Sequence, residues 1–311
     1  MTTEGRSWHR LQVGVAETLS MQFLLDGAPA DPGTTTVGIV NAAGDVVVAA
    51  GAGTSGTGTN PRTYALTAPD DPDVLTVTWT TTDLGVFRAE YEVLGRHLFT
   101  IAEARAHRPI GSDSAGTLAD VDKYPQAAIE EARGAILDAW DADILGYALV
   151  PRYERVVLDG CEAWDRGQRL PLLRADMRPA QQIRRLRSIE TREAGSSDWV
   201  AMDPAELELV QVTGDGDLYL EAGGRWPYGL RNVRVAYEHG LDQPPGEAKR
   251  AALVLLGYVL VPTNLSSRAL QQSTQFGTVN LATAGRYGDW YGIPAVDSVL
   301  DRLCRRVPGV G

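Results

Sequence analysis

Gly51, Gly53 and Gly56 stand in a GxGxxG spacing directly after the apolar run Val46 to Val48. In a dinucleotide site such glycines let the backbone approach a pyrophosphate that rests on the N-terminus of the following helix. Here Thr57, Gly58, Thr59, Asn60 and Pro61 follow instead, so the stretch reads as a glycine-rich hairpin loop opening another strand. Lys123 and Lys249, the only lysines, are not preceded by a phosphate-cradling glycine loop, so the Walker type of nucleotide site is missing. His9, His97, His107 and His239 are isolated from one another and from Cys161 and Cys304, with no HExxH and no CxxC. Each histidine reads as a surface or internally satisfied side chain, and neither a zinc site nor a disulfide framework is expected. Asp141 with Asp143, and Asp215 with Asp217, are carboxylate pairs of the kind that bind cations or share acid–base work, but neither has the rest of a calcium loop. The first pair is expected on a solvated helix face and the second in a turn. No catalytic residue, cofactor site or metal ligand is assigned, and the expectation is a protein that is not an enzyme.

Charge narrows the partners. The 311-residue chain carries a formal charge of −11, which disfavours a sequence-independent grip on DNA, since phosphate binding needs a local excess of Lys and Arg. Up to Gly95 there are four Arg and no Lys against eleven Asp and Glu, a charge of −7. The opening run Thr2 to Arg10 lacks the apolar core of a signal peptide, and Ala251 to Val261, broken by Gly257, is too short to cross a bilayer. A soluble protein made in a reducing compartment is expected, with no membrane contact.

The elements that must position any site fall into two parts, giving an α+β, two-domain expectation with a boundary between Gly95 and Arg96. From Leu11 to Val93 the apolar residues alternate. Leu19, Met21, Phe23 and Leu25 precede the turn Asp26-Gly27; Val37 and Ile39 run into the turn Asn41 to Asp45; Leu75, Val77 and Trp79 are followed by Phe87, Ala89, Tyr91 and Val93. Short strands with period two and no helix signal predict an immunoglobulin-like β-sandwich over residues 1–95, without its inter-sheet disulfide.

After Arg96 the period changes. Thr100 and Glu103 have capping-box spacing, and Pro109 closes that short helix. A longer helix is predicted from about Asp120 toward Val150, with Ile129, Ile136, Trp140, Ile144 and Tyr147 on one stripe and Pro125 in its first turn or at a kink. Residues 151–240 return to strand character at Arg155 to Leu158, Leu207 to Val212 and Val233 to Tyr237, and hold the arginine cluster Arg184, Arg185 and Arg187. That cluster either faces a protein partner or neutralises neighbouring carboxylates. Glu247 to Val261 is apolar nearly all round and predicts a buried helix, and Ala295 to Arg306 a closing helix with Val296, Val299, Leu300 and Leu303 on one face.

Between those helices lies a polar stretch, 263–293, carrying Phe276, Tyr287, Trp290 and Tyr291. Aromatic side chains in so long a loop suit a partner-binding arm, the alternative being that they cap the domain's own core. With Arg305 and Arg306 in the last turn of the closing helix, these four aromatics form the candidate interface.

Four stretches after Arg96 resemble the head-to-tail connector, or head-completion adaptor, family of long-tailed bacteriophages. They are Asp122 to Ala132 with its Tyr-Pro entry to a helix; Leu158 to Leu173, an Asp-Gly turn before a Leu-Pro-Leu strand; Trp226-Pro227 leading to Val233 to Gly240 and the double proline; and Gly292 to Asp297 before the closing helix. The resemblance spans about two-thirds of the chain. It implies a helical adaptor domain, residues 96–311, with a β-rich insertion at about 151–240 and a C-terminal arm and helix, 263–311. It implies a homo-oligomeric ring, dodecameric in expectation, set in the virion neck between the portal protein and a tail-side neck or tail terminator protein. DNA passes through the lumen of such a ring without tight binding, which an acidic lumen favours. The sandwich departs from the minimal adaptor pattern. Two alternatives differ in class: a capsid or tail decoration protein, and a cell-wall hydrolase with an accessory immunoglobulin-like module.

Overall fold

The computed structural model describes residues 9–107, 118–160, 167–174, 180–193, 196–214, 216–220, 224–260, 271–274, 277–280 and 290–305. The chain is mixed α+β, richer in strand than helix, with several sheets.

Nine strands come first: β1 His9–Gln12, β2 Ala16–Met21, β3 Leu24–Leu25, β4 Ala28–Pro29, β5 Thr35–Val40, β6 Val46–Gly53, β7 Arg62–Thr67, β8 Asp73–Thr81 and β9 Gly85–Leu94. A five-stranded sheet runs β1-β9-β8-β5-β6, with β1 parallel to β9 and the other pairs antiparallel, while β2 pairs with β7. The expected alternation supplies the core: Val37, Ile39, Leu75, Val77, Trp79, Tyr91 and Val93 of the sheet meet Leu19 and Leu66 of the β2–β7 ladder. Asp26 (φ 53) and Gly27 (φ 82) make the left-handed two-residue turn between β3 and β4, a turn whose twist matches that of the flanking strands. Leu25 is exposed rather than continuing the apolar face of β2.

The glycine-rich stretch differs from expectation. Gly51 and Gly53 belong to β6 itself, an exposed edge strand, and pairing resumes beyond it where Ser55 bridges Thr63. Small residues suit this edge, because a Cβ on Gly38 of β5 would lie 3.0 Å from the Ala50 backbone.

Helices follow. In α1, Ile101–Ala106, the capping box forms as read: the Glu103 amide donates to Thr100 Oγ1 at 3.2 Å and the Thr100 amide to the Glu103 carboxylate at 2.8 Å. Pro109 lies outside the described residues. The predicted long helix is shorter: α2 spans Gln126–Asp138 with Pro125 as its N-cap, and a π-helical segment, Ala139–Leu145, continues it to Gly146 in the left-handed region. The wider turn brings the neighbours Trp140 and Asp141 into the core together. Asp141, expected on a solvated face, is 1% exposed, and it accepts the Leu149 amide at 3.1 Å.

The β-rich insertion comprises β10 Arg152–Leu158, β11 Arg169–Pro171, β12 Ile183–Thr191, β13 Val200–Ala201, the short helix α3 Pro204–Leu207, β14 Val210–Val212, β15 Asp217–Leu220 and β16 Val233–His239. One sheet runs β10-β16-β12-β13 and another β11-β15-β14. Leu207, read as strand, ends a helical turn instead, because Asp203 caps the Ala205 amide and Pro204 opens that turn. Trp226 closes the core of this region beside Leu170, Leu218 and Val235, its Nε1 donating to the carbonyls of Gln168 and Leu218.

The chain ends with α4 Gly246–Leu260, the strands β17 Gln271–Thr274 and β18 Gly277–Asn280, and α5 Pro294–Arg305. α4 buries Ala248, Ala251, Ala252, Leu255 and Leu256, but Tyr258 and Val259 are exposed, so its last turn is not enclosed as expected. β17 and β18 pair as an antiparallel hairpin inside the stretch read as an arm. In α5 the expected face, Val296, Val299, Leu300 and Leu303, is buried.

By internal contacts the chain divides into two compact units: Met1–Arg96 with Val150–Asp242, and His97–Leu149 with Gln243–Gly311. This keeps a boundary at Arg96, but it groups the β-rich insertion with the N-terminal strands rather than with the helices.

Candidate functional site

The aromatic and arginine residues of the C-terminal segment are only partly brought together. Trp290 and Tyr291 stand in the turn before α5, while Phe276, Tyr287 and Arg306 lie outside the described residues and Arg305 is the last residue of the helix. The turn is locked from within the helix. Asp297, one turn into α5, is buried; its Oδ1 accepts the Tyr291 amide at 2.9 Å, and its own amide donates to the Ile293 carbonyl. This latch leaves the Trp290 side chain 42% exposed and Tyr291 half-buried. A large indole kept partly in water at a fixed turn suits an anchor for a partner surface. Within the same unit, Arg302 of α5 pairs with Glu247 of α4 at 3.1 Å.

The arginine cluster faces carboxylates of its own chain. On β12, Arg187 Nε bonds Glu238 Oε1 at 2.5 Å and its Nη1 lies 3.1 Å from Asp71, while Arg184 reaches Glu238 at 3.2 Å and Asp242 at 2.5 Å. Next to them Arg155 bonds Glu190 at 2.8 Å and the Ala42 carbonyl at 2.7 Å, and Arg234 bonds the other Glu190 oxygen at 2.7 Å. Asp71 and Ala42 belong to the turns of the N-terminal strands, so these arginines bind the acidic strand region to the insertion. Arg185 is exposed.

A separate ion-pair cluster is built on Glu92 of β9. Arg152 meets it with Nε at 2.6 Å and Nη2 at 2.9 Å, and Arg10 of β1 adds Nε at 2.9 Å. Burial on its own would raise the Glu92 pKa, but the two guanidinium groups outweigh it, Arg152 more than Arg10, and hold it down to about 2. Beside it the Gly95 amide donates to the Pro151 carbonyl at 2.9 Å, and a Cβ at Gly95 would lie 2.6 Å from the Pro151 ring. None of this was visible locally, because Arg10, Glu92 and Arg152 are separated by whole elements.

A second buried polar group lies at the end of β16. Tyr237 donates its hydroxyl to Glu154 at 2.8 Å, and His239 Nε2 lies 3.4 Å from the same oxygen. His239 is 3% exposed, and among the described residues its Nδ1 has no hydrogen-bond partner. Burial pushes its pKa down to about 3, with Arg174 and Arg152 adding to the effect and Glu92 opposing it. His239 is therefore neutral at neutral pH and buried, with Nδ1 unbonded among the described residues, where a surface or internally satisfied histidine was expected.

Among the described residues no three His, Cys, Asp or Glu side chains converge as a metal site, and no helix is long and apolar enough to cross a membrane. Asp217 is buried against Arg169; Asp215 lies outside the described residues. Comparison with known protein families gives no match, and no curated protein matches the chain.

Proposed function

We propose that the chain is a structural, non-catalytic subunit of the neck of a tailed bacteriophage, part of a ring that joins the portal protein to a tail-side neck or terminator protein and lets DNA pass. What carries the reading is where the four resembling stretches lie. Tyr124-Pro125 heads α2; Leu170 to Leu172 enters the insertion core; Trp226 closes that core before β16; Gly292 to Asp297 forms the latch before α5. The hairpin β17–β18 and the Trp290 turn, both in the connection between α4 and α5, are assigned to docking on the portal or on neighbouring subunits. The N-terminal strands, with the first parallel to the last and a two-stranded ladder sharing their core, are assigned as an immunoglobulin-like sandwich.

The acidic balance supports a lumen along which a duplex slides rather than sticks. Removing the gene from the phage tests the role. Filled heads and free tails are expected to accumulate unjoined, and purified protein to restore joining; complete infectious particles made without it would overturn the reading.

A further inference from the structure

Between β15 and β16 the chain makes a tight loop, Pro227 to Asn232, braced from several sides. Asn232 is 2% exposed; its Oδ1 accepts the Gly160 amide, its Nδ2 donates to the Pro227 carbonyl and its carbonyl accepts the Arg192 amide, each at 2.9 Å. The Arg231 amide donates to the Asp159 carboxylate at 2.5 Å. Arg231 itself sits at φ 50, a left-handed conformation that a residue with a side chain keeps only where its surroundings hold it. The brace leaves no space for change: a Cβ at Gly160 would lie 1.9 Å from the Pro227 carbonyl oxygen, and one at Gly229 would lie 2.9 Å from Asn232 Nδ2.

This braced loop holds Tyr228 and Leu230 in water at 83% and 73% exposure, the highest values for large hydrophobic side chains among the described residues. Arg192 Nε donates to the Arg231 carbonyl at 3.0 Å, and its guanidinium lies 4.8 Å from the ring centre of Trp199, which Arg234 approaches to 3.9 Å. Arg234 is neutralised by Glu190, but among the described residues the side chains of Arg192 and Arg231 meet no carboxylate. A tyrosine and a leucine held out in water by a braced loop, with Arg192 linking that loop to Trp199, have the composition and the preorganisation of a binding hot spot.

Beside its apolar side chains the patch carries the guanidinium groups of Arg192 and Arg231, with the Asp159 carboxylate on the Arg231 amide, whereas the chain carries −11, of which −7 lies in residues 1–95. We propose that the Pro227–Asn232 loop, with Trp199 and Arg192, is the contact by which one subunit seats on the acidic N-terminal strand region of the next copy. Unlike patches then meet around the ring, the head-to-tail geometry that closes a cyclic oligomer. Naming a second copy as the partner rests on the ring reading above.

Sedimentation velocity of the purified full chain over a concentration series, at low and at high salt, tests the contact. The wild type is expected to self-associate, less so at high salt. Tyr228→Ala with Leu230→Ala is expected to weaken association roughly a hundredfold, and Arg231→Glu to weaken it and flatten its salt dependence, with thermal unfolding unchanged because all three side chains are exposed. Leu230→Ser alone serves if the double variant is unstable. A wild type that stays monomeric throughout, or variants that associate as it does, would overturn the proposal. The outcome is separable from the neck reading: joining restored in phage by a Tyr228→Ala, Leu230→Ala protein sinks the contact alone, whereas self-association through the loop in a chain that phage joining does not need sinks the neck reading alone.

Discussion

In the first unit, Glu92 is buried between the guanidinium groups of Arg152 and Arg10, and further ion pairs run through Glu190 and Glu238. The second unit depends on Ile129, Ile136 and Trp140 of the α2 region, Leu255 and Leu256 of α4, and Leu300 and Leu303 of α5. Among its buried charged groups, Arg133 donates to the Phe99 carbonyl, while Asp141 and Asp297 accept backbone amides. Sheets whose second faces meet across charge resist acid and salt differently from helices that meet across hydrocarbon. A buried ion pair is also more costly to break from one side than to omit.

The contrast should be largest at Glu92. Glu92→Gln leaves two largely buried guanidinium groups without their counter-charge, and a loss of about 3 kcal/mol is expected in the first unit. Hydrogen exchange resolved by segment checks it: β1, β9 and β10 should lose protection while α2, α4 and α5 keep theirs. In the second unit Leu300→Ala, at a position 0% exposed, should cost about 3 kcal/mol through lost burial and a cavity. Its effect should be confined to the helices and insensitive to salt.

Acid should separate the units next. His239 has a folded pKa of about 3 against 6.5, so between those values the unfolded chain binds a proton that the folded chain refuses. Stability therefore falls as pH drops from 6.5 toward 3. Glu92, at about 2 against 4.5, contributes stability that is present above 4.5 and lost as pH falls toward 2. Together they predict a first unit weaker by a few kcal/mol near pH 4 than at pH 7. His239→Gln should flatten the upper part of that profile in chemical denaturation across pH, and an unchanged profile would show that His239 does not control it. The smallest effect on folding belongs to Trp290→Ala with Tyr291→Ala, since Asp297 binds the Tyr291 amide and not its ring. Joining of heads to tails should weaken by about 2 kcal/mol or more while thermal unfolding of the isolated chain barely moves; unfolding of the isolated chain would instead mark these aromatics as core.

Much of this fold was legible because one face of an element met one core. Leu75, Val77 and Trp79 alternate because β8 lies on a single apolar layer, and Val296, Val299, Leu300 and Leu303 repeat at helical spacing for the same reason. β12 was hidden since the face carrying Arg184 and Arg187 is satisfied by Glu238, Asp71 and Asp242, residues that only folding brings near. The Asp141 environment was hidden by a π turn, which changes the period within a helix. Gln271 to Thr274 has no apolar alternation, so the hairpin it makes with β18 gave no signal. Of the candidate interface, Trp290 was legible as an aromatic in a polar stretch, whereas the Tyr228–Leu230 loop was not, because its exposure follows from the Asn232 brace rather than from composition.

The neck assignment is tested most directly by imaging intact particles whose copies of this chain carry an electron-dense label on the C-terminus. A single ring of label at the junction of head and tail is expected in every particle. Label spread over the shell or along the tail, or particles without label, would contradict it.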